Sequence, residues 1–165
     1  CSYTLDLARP VKVREGITIE FDAGIRSGYG APGRGYGGNR NHVLEARDPF
    51  GRPLFRVILI GYSKDGRVGF LPEDAASTSA KHATLFDAKF VRHDDDSYDP
   101  EAMRTIRVDL AADGFVISVD DQKLSETIPY HGNATPIVQD LLLYNTNYAG
   151  AAFFDNITIE AADQQ

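Results

Sequence analysis

The sequence is poor in several residues and patterns that would mark particular kinds of protein. It has no Trp, one Met and one Cys, so an internal disulfide is excluded and the cysteine count does not fix the compartment. No apolar run approaches the ~18 residues that span a bilayer, and no signal peptide opens the sequence. Lys and Arg number 17 against 24 Asp and Glu, a net charge of −7. This balance argues against sequence-independent nucleic-acid binding, which needs a clustered basic surface.

The first residue is unusual, because Cys1 stands where an initiator Met is expected. Lipoprotein processing leaves a Cys first, and Ser2 is a common second residue. The strand-like segment SYTLDLA begins at once, however, without the usual flexible tether. We therefore expect a domain excised from a larger secreted protein, with lipoprotein anchoring through Cys1 as the alternative.

Apolar and polar residues alternate with a period of two over much of the chain, which indicates β-strands with one face on a core and one in water. Ile17, Ile19 and Phe21 share one face of GITIEFDA, and RTIRVDLA repeats the pattern at Ile106 and Val108. At 165 residues, with 42% hydrophobic and 25% charged residues, the chain fits one folded domain over 1–165.

Two further runs, PLFRVILIG (53–61) and IVQDLLLY (137–144), are apolar almost throughout and predict central strands that are covered on both faces. Additional predicted strands cover 2–8, 42–48, 67–71, 83–90, 114–120, 122–128 and 151–160, while 73–80 and 99–104 could form a helical turn or two. Turn residues separate them, as at Asp48-Pro49-Phe50-Gly51 and Asp120-Asp121. Ten or eleven strands without helical crossovers predict an all-β, two-sheet antiparallel β-sandwich of the jelly-roll type.

The order of these segments resembles the concanavalin A-like and laminin G-like jelly-roll domains. The hairpin TIRVDLAADGFVISVDDQKL is similar to theirs, and DLLLYNTNYAGAAFFDNITIE resembles their last two strands. One departure is visible, because Asp120-Asp121 stands where that hairpin usually has Asp-Gly. The resemblance implies an extracellular or cell-surface module that binds glycans or proteins, sometimes with structural calcium. Some relatives in these families are hydrolases or lyases that act on glycans.

The Gly-rich segment at 27–41, SGYGAPGRGYGGNRN, is the most unusual stretch. Glycine allows close backbone approach to a ligand, and Tyr29, Arg34 and Tyr36 supply flat area and hydrogen-bonding groups. The segment is either a loop that contacts a ligand, an arm that joins copies into a homo-oligomer or assembly, or a connection with no partner.

Acidic residues suggest calcium at two places. Asp94, Asp96 and Asp99 offer hard oxygen ligands in HDDDSYDPE, although a solvated acidic loop needs no ion. In a regular strand, Asp155 would share a face with the core residues Phe153 and Ile157. A carboxylate placed there needs a cation, a hydrogen-bonding partner or a local bulge.

Glycan chemistry suggests two more sets of residues. Glu20 and Asp22 lie side by side on the polar face of one strand and resemble part of the acidic set of laminarinase-like hydrolases, but the third acid is missing. In YNTNY, the residues Tyr144, Asn145, Asn147 and Tyr148 could bind sugar hydroxyls and stack on pyranose faces, although Asn also simply favours turns.

Three functions follow from these patterns. The first is an extracellular module that binds a carbohydrate or protein. The second is a structural or adhesive subunit of an extracellular assembly, which the Gly-rich segment and the unpaired Cys1 would suit. The third is a small glycan-active hydrolase that uses Glu20 and Asp22. Because no complete catalytic set is present, the balance favours binding over catalysis.

Overall fold

The computed structural model describes residues 2–26, 40–62, 65–76, 80–90, 92–93, 103–145 and 152–161. Within these ranges the regular structure is almost entirely β. In chain order the strands are β1 (Ser2–Lys12), β2 (Ile17–Arg26), β3 (Arg40–Arg47), β4 (Pro53–Tyr62), β5 (Asp65–Leu71), β6 (Thr84–Phe90), β7 (Arg92–His93), β8 (Arg104–Leu110), β9 (Phe115–Val119), β10 (Gln122–Lys123), β11 (Ile137–Asn145) and β12 (Ala152–Ala161). Two short 3-10 turns lie at Val13–Glu15 and Ala80–His82.

The strands form two sheets. Sheet A has the order β1-β11-β3-β4-β5-β6, and sheet B has the order β10-β9-β8-β2-β12. Pairing is antiparallel throughout, except that the two-residue strand β7 pairs with β2 in parallel. The predicted two-sheet antiparallel sandwich is therefore confirmed.

The core lies between the two sheets, where the alternating apolar residues meet. Ile17 and Ile106, both predicted to point inward, are buried, and so is Val119. Phe55 of sheet A stacks on Phe115 of sheet B with ring centroids 4.5 Å apart. This contact joins the two sheets face to face at the distance that aromatic pairs favour.

Strand β4 is covered on both of its faces, as its continuous apolar sequence predicts. Val57 and Leu59 belong to the core between the sheets. Ile58 and Ile60 point to the opposite side, where they are buried in a second cluster with Val43 and Leu71. A segment that begins at Pro72 passes over this second cluster and contributes Ala75 to it.

Several local predictions are wrong. In the described part of 73–80, residues 73–76 form a turn and a bend, and Ala80 begins the 3-10 turn at Ala80–His82. The predicted strand 122–128 is reduced to β10, because the chain leaves the sheet after Lys123 and returns only for an isolated bridge between Phe115 and Ile128. In the part of 99–104 that the structure describes, Met103 is irregular and Arg104 begins β8.

The turn at Asp120-Asp121 keeps the geometry that Asp-Gly normally supplies. Both residues adopt positive φ, 48° and 64°, as a two-residue hairpin turn with the twist of its strands requires. Asp120 offsets part of the strain, because its carboxylate accepts the Thr105 N–H at 3.0 Å and Arg104 Nε at 2.7 Å. The hairpin therefore forms without its usual glycine.

Candidate functional site

Charged side chains lie on the outward face of sheet A, in strands that are otherwise apolar. Leu44 and Ala46 of β3 face the core, so Glu45 and Arg47 face outward. The cross-strand register sets Arg56 of β4 opposite Glu45, and on β11 it places Asp140 opposite Arg47. These four residues and Tyr144 of β11 are here called the polar row.

A shared carboxylate oxygen holds one half of the polar row together. Glu45 Oε2 accepts hydrogen bonds from Arg56 Nε and from the Tyr144 hydroxyl, both at 3.1 Å. The side chains of Arg56 and Glu45 are 23% and 10% exposed, so the carboxylate is almost buried while the guanidinium group is partly in contact with solvent. Burial, and then the negative charge of Glu45, raise the pKa of Tyr144. The hydroxyl therefore remains protonated at neutral pH and acts as a hydrogen-bond donor.

A bidentate ion pair forms the other half of the polar row. Arg47 donates to Asp140 through Nε at 2.6 Å and through Nη2 at 3.1 Å. The hydrogen bond to Asp140 raises the pKa of Arg47 against the effect of burial, and the charges of Asp140, Glu45 and Asp6 add to it. Planar pairs of this type fix the positions of both side chains. The guanidinium group is thus held in place on the sheet surface.

The segment that follows β5 covers the apolar cluster next to the polar row, and hydrogen bonds attach it to the rest of the protein. Glu73 accepts the backbone N–H groups of Gly132 and Asn133 at 2.7 and 3.0 Å. The His131 ring makes a hydrogen bond with the Leu71 carbonyl at 3.2 Å. These bonds hold the segment after β5 over the second apolar cluster, so this part of the face is closed.

The predicted acidic pair Glu20 and Asp22 lies on the outward face of sheet B, on the opposite side of the sandwich. Asp22 accepts hydrogen bonds from Thr105 Oγ1 at 2.7 Å and Asn156 Nδ2 at 2.8 Å. Glu20 is opposite Arg107 on one neighbouring strand and Thr158 on the other. Asp22 thus links three strands, and the pair lies apart from the polar row.

Asp155 does not lie among the core residues, because β12 is not a regular strand at this position. The pairing of β12 with β2 is interrupted between Asp155 and Thr158, and Asn156 adopts a positive φ of 50°. This bulge turns the strand, so Asp155 is exposed and accepts the Asn156 backbone N–H at 2.8 Å. Of the solutions open to a carboxylate at this position, the structure uses the bulge and a backbone amide.

Other predicted site residues fall outside the described ranges. These are Tyr29, Arg34 and Tyr36 of the Gly-rich segment, Asp94, Asp96 and Asp99, and Asn147 and Tyr148. Asn145 is paired with His42 at the end of β11, and of the YNTNY residues only Tyr144 belongs to the polar row. In the described part of the chain no three His, Cys, Asp or Glu residues are grouped to hold a metal ion, and no helix there is long and apolar enough to cross a membrane. Calcium binding stays a prediction.

Sequence reasoning missed Glu45, Arg47, Arg56 and Asp140. Each is a charged residue in or next to an apolar run, such as Arg56 in PLFRVILIG or Asp140 in IVQDLLLY. A lone charge in a strand that is covered on both faces must find a partner or solvent. That signal was available, but the identity of each partner depends on strand order.

Solved structures with the same architecture confirm the concanavalin A-like jelly-roll fold. The chain is similar to a tetrameric galectin from the sponge Cinachyrella sp., with a TM-score of 0.58 at 13% identity over 96% of this chain and 99% of that one. It is also similar to an alginate lyase from Pseudomonas aeruginosa, with a TM-score of 0.51 at 14% identity over 93% of this chain and 69% of that one. A sialidase matches with a TM-score of 0.60 at 9% identity, over 98% of this chain but 14% of its own length. No protein-family model matches the sequence, and no curated protein matches it.

Proposed function

We propose that the protein is an extracellular carbohydrate-binding module and that the polar row on the outward face of sheet A is its glycan-binding site. The observation that carries this proposal is the arrangement of Glu45, Arg47, Arg56, Asp140 and Tyr144. They form a set of donors and acceptors that is already held in position by mutual hydrogen bonds.

The chemistry of the polar row suits sugar hydroxyl groups, which both donate and accept hydrogen bonds. Of the described residues, Arg47 bonds Asp140 and Arg56 bonds Glu45, so each guanidinium group keeps further N–H donors for a ligand. The carboxylates keep lone pairs for sugar O–H donors. Because the side chains are already ordered, little conformational entropy is lost when a ligand binds.

The structural neighbours support a glycan ligand, since they include a galectin and an alginate lyase that share the fold. Burial and the charge of Glu45 hold the Tyr144 pKa above its usual value, so the hydroxyl stays protonated at neutral pH and does not serve as a general base. Because the Tyr144 hydroxyl donates its one proton to Glu45, its oxygen is proposed as an acceptor for a sugar O–H.

A glycan array probed with the tagged protein tests the function, followed by calorimetric titration of the bound glycans. Glu45→Gln keeps the shape of the side chain but removes its charge, and we expect binding to weaken roughly 10- to 100-fold, as for the loss of a charge-assisted hydrogen bond. Glu20→Gln is the matched control, because it makes the same change on the outward face of sheet B.

Two results would contradict the proposal. The first is that the wild-type protein binds no glycan on the array. The second is that Glu45→Gln and Glu20→Gln change the affinity equally, which would remove the polar row from the site. Thermal unfolding of both variants shows whether a loss of binding reflects a loss of folded protein.

A further inference from the structure

The turn between β3 and β4 presents an aromatic ring to solvent. Phe50 is 74% exposed, the largest value among the exposed large hydrophobic side chains of the described residues. It follows Arg47 of the polar row by three residues, so it lies at the same end of sheet A as the Arg47–Asp140 pair. A single exposed apolar residue is ordinary on a protein surface, so the case depends on how this ring is held.

The turn that carries Phe50 is rigid because a buried carboxylate binds its backbone. Asp48 Oδ1 accepts the N–H groups of Phe50 and Arg52, both at 2.9 Å. Its Oδ2 accepts the Thr135 N–H at 2.8 Å, which ties the turn to the segment before β11. The Asp48 side chain has no exposed surface. The backbone of the aromatic residue is therefore fixed before any ligand arrives.

Arg52 completes the arrangement by lying over the Phe50 ring. Its guanidinium carbon is 5.0 Å from the ring centroid, within cation–π range. Arg52 Nε donates to Asp48 at 3.1 Å, and its Nη2 donates to Thr135 Oγ1 at 3.2 Å. The side chain remains 47% exposed, so N–H donors stand beside an open aromatic ring.

The charges of this site cancel, which decides the class of ligand. The Arg52 guanidinium faces the buried Asp48 carboxylate, so the pair carries no net charge. A free guanidinium would favour a sugar carboxylate, whereas a neutral pair gives such an anion little attraction. Hydroxyl groups can still accept the remaining N–H donors, and the ring can cover the C–H face of a pyranose.

We propose that Phe50 and Arg52 form a second subsite, which stacks an uncharged pyranose residue of an oligosaccharide whose other residues lie on the polar row. This inference rests on the proposed glycan-binding function. The length supports more than one sugar, because on β3 the polar row already covers roughly 7 Å of strand from Glu45 to Arg47. Phe50 lies beyond that end of the row.

The test uses the full chain and an array of neutral and uronic-acid oligosaccharides of two to six residues. The neutral series that binds best is then titrated into wild-type protein, Phe50→Ala and Phe50→Trp. Phe50→Ala should bind the hexasaccharide roughly tenfold more weakly and the disaccharide unchanged, and Phe50→Trp should restore the affinity. Tyr3→Ala is the control, because Tyr3 is also exposed, at 62%, but lies on the edge strand β1.

The outcomes separate this inference from the function on which it rests. If no oligosaccharide binds, both fail. If wild type binds and Glu45→Gln weakens binding, but Phe50→Ala binds the hexasaccharide as wild type does, only the second subsite fails. Binding confined to the uronic-acid series also overturns the subsite while leaving the polar row as a glycan site. An unchanged melting temperature for Phe50→Ala verifies that the turn has kept its structure.

Discussion

Asp48 offers the sharpest test of how the end of the sandwich is held together. Its carboxylate accepts three backbone N–H groups, from Phe50, Arg52 and Thr135, and one side-chain N–H from Arg52. The substitution Asp48→Asn keeps the size of the side chain but replaces one oxygen by an NH₂ group. Each carboxylate oxygen accepts two of these N–H groups. Whichever way the amide is turned, two N–H groups therefore face its NH₂ group, which is itself a donor and cannot accept them.

The size of the effect follows from those lost acceptors. A buried donor without a partner costs about 1–3 kcal/mol, and Arg52 can recover part of the loss by turning to water because its side chain is 47% exposed. We therefore expect Asp48→Asn to lower the free energy of unfolding by about 3 kcal/mol. For a domain of this length, that corresponds to a melting temperature lower by roughly 6–12 °C.

The acid dependence gives a second, independent measurement. Burial would raise the pKa of Asp48, but the hydrogen bonds from Thr135, Arg52 and Phe50 outweigh it and lower the pKa. A carboxyl group whose folded-state pKa lies below its unfolded value of about 3.9 stabilises the protein above that pH and loses the contribution as the pH falls further. The stability difference between wild type and Asp48→Asn should therefore shrink below about pH 4.

Urea unfolding at pH 7 and at pH 3 measures both effects. Asp74→Asn is the matched control, because Asp74 is exposed and should change stability by less than about 0.5 kcal/mol. The reasoning is refuted if Asp48→Asn is as stable as this control at pH 7. It is also refuted if the difference from wild type stays constant between the two pH values.

Two further predictions concern the hairpin turn and the metal. Asp121→Gly should stabilise the protein by about 0.5–1 kcal/mol in urea unfolding, because glycine adopts the φ of 64° without strain. Asp120→Gly should instead destabilise the protein, since it loses the hydrogen bonds to Thr105 and Arg104. Equal effects of the two substitutions would contradict this account. If Asp94, Asp96 and Asp99 or Asp155 hold calcium, excess EDTA should lower the melting temperature and added calcium should restore it; an unchanged melt counts against the ion.

The strands and the sandwich could be predicted from the sequence because their cause is local. Side chains alternate across a strand, so Ile17, Ile19 and Phe21 must share a face wherever the strand is placed. The continuous apolar run of β4 likewise predicted a strand covered on both faces, and Ile58 and Val57 are buried on opposite sides of it. Failures occurred where pairing ends, as after Lys123, since strand length depends on the partner strand.

The bulge at Asn156 shows a local feature that alternation conceals. A strict period of two places Asp155 with the core residues, and one extra residue moves it to the solvent side. Asn is one of the few residues that tolerate positive φ, so the pair Asp155-Asn156 carried a weak signal. The alternation itself predicted that a carboxylate at that position needs a cation, a hydrogen-bonding partner or a bulge.

The order of residues alone determined that alternating and continuous apolar runs form two sheets, because the direction of a side chain depends on its immediate neighbours in the strand. Tertiary structure decided which charges meet. Glu45 and Tyr144 are 99 residues apart in the chain, and Arg47 and Asp140 are 93 apart. They touch because β11 is inserted between β1 and β3 in sheet A. A hydrogen bond across such a separation depends on strand order and register, which result from the packing of the whole chain.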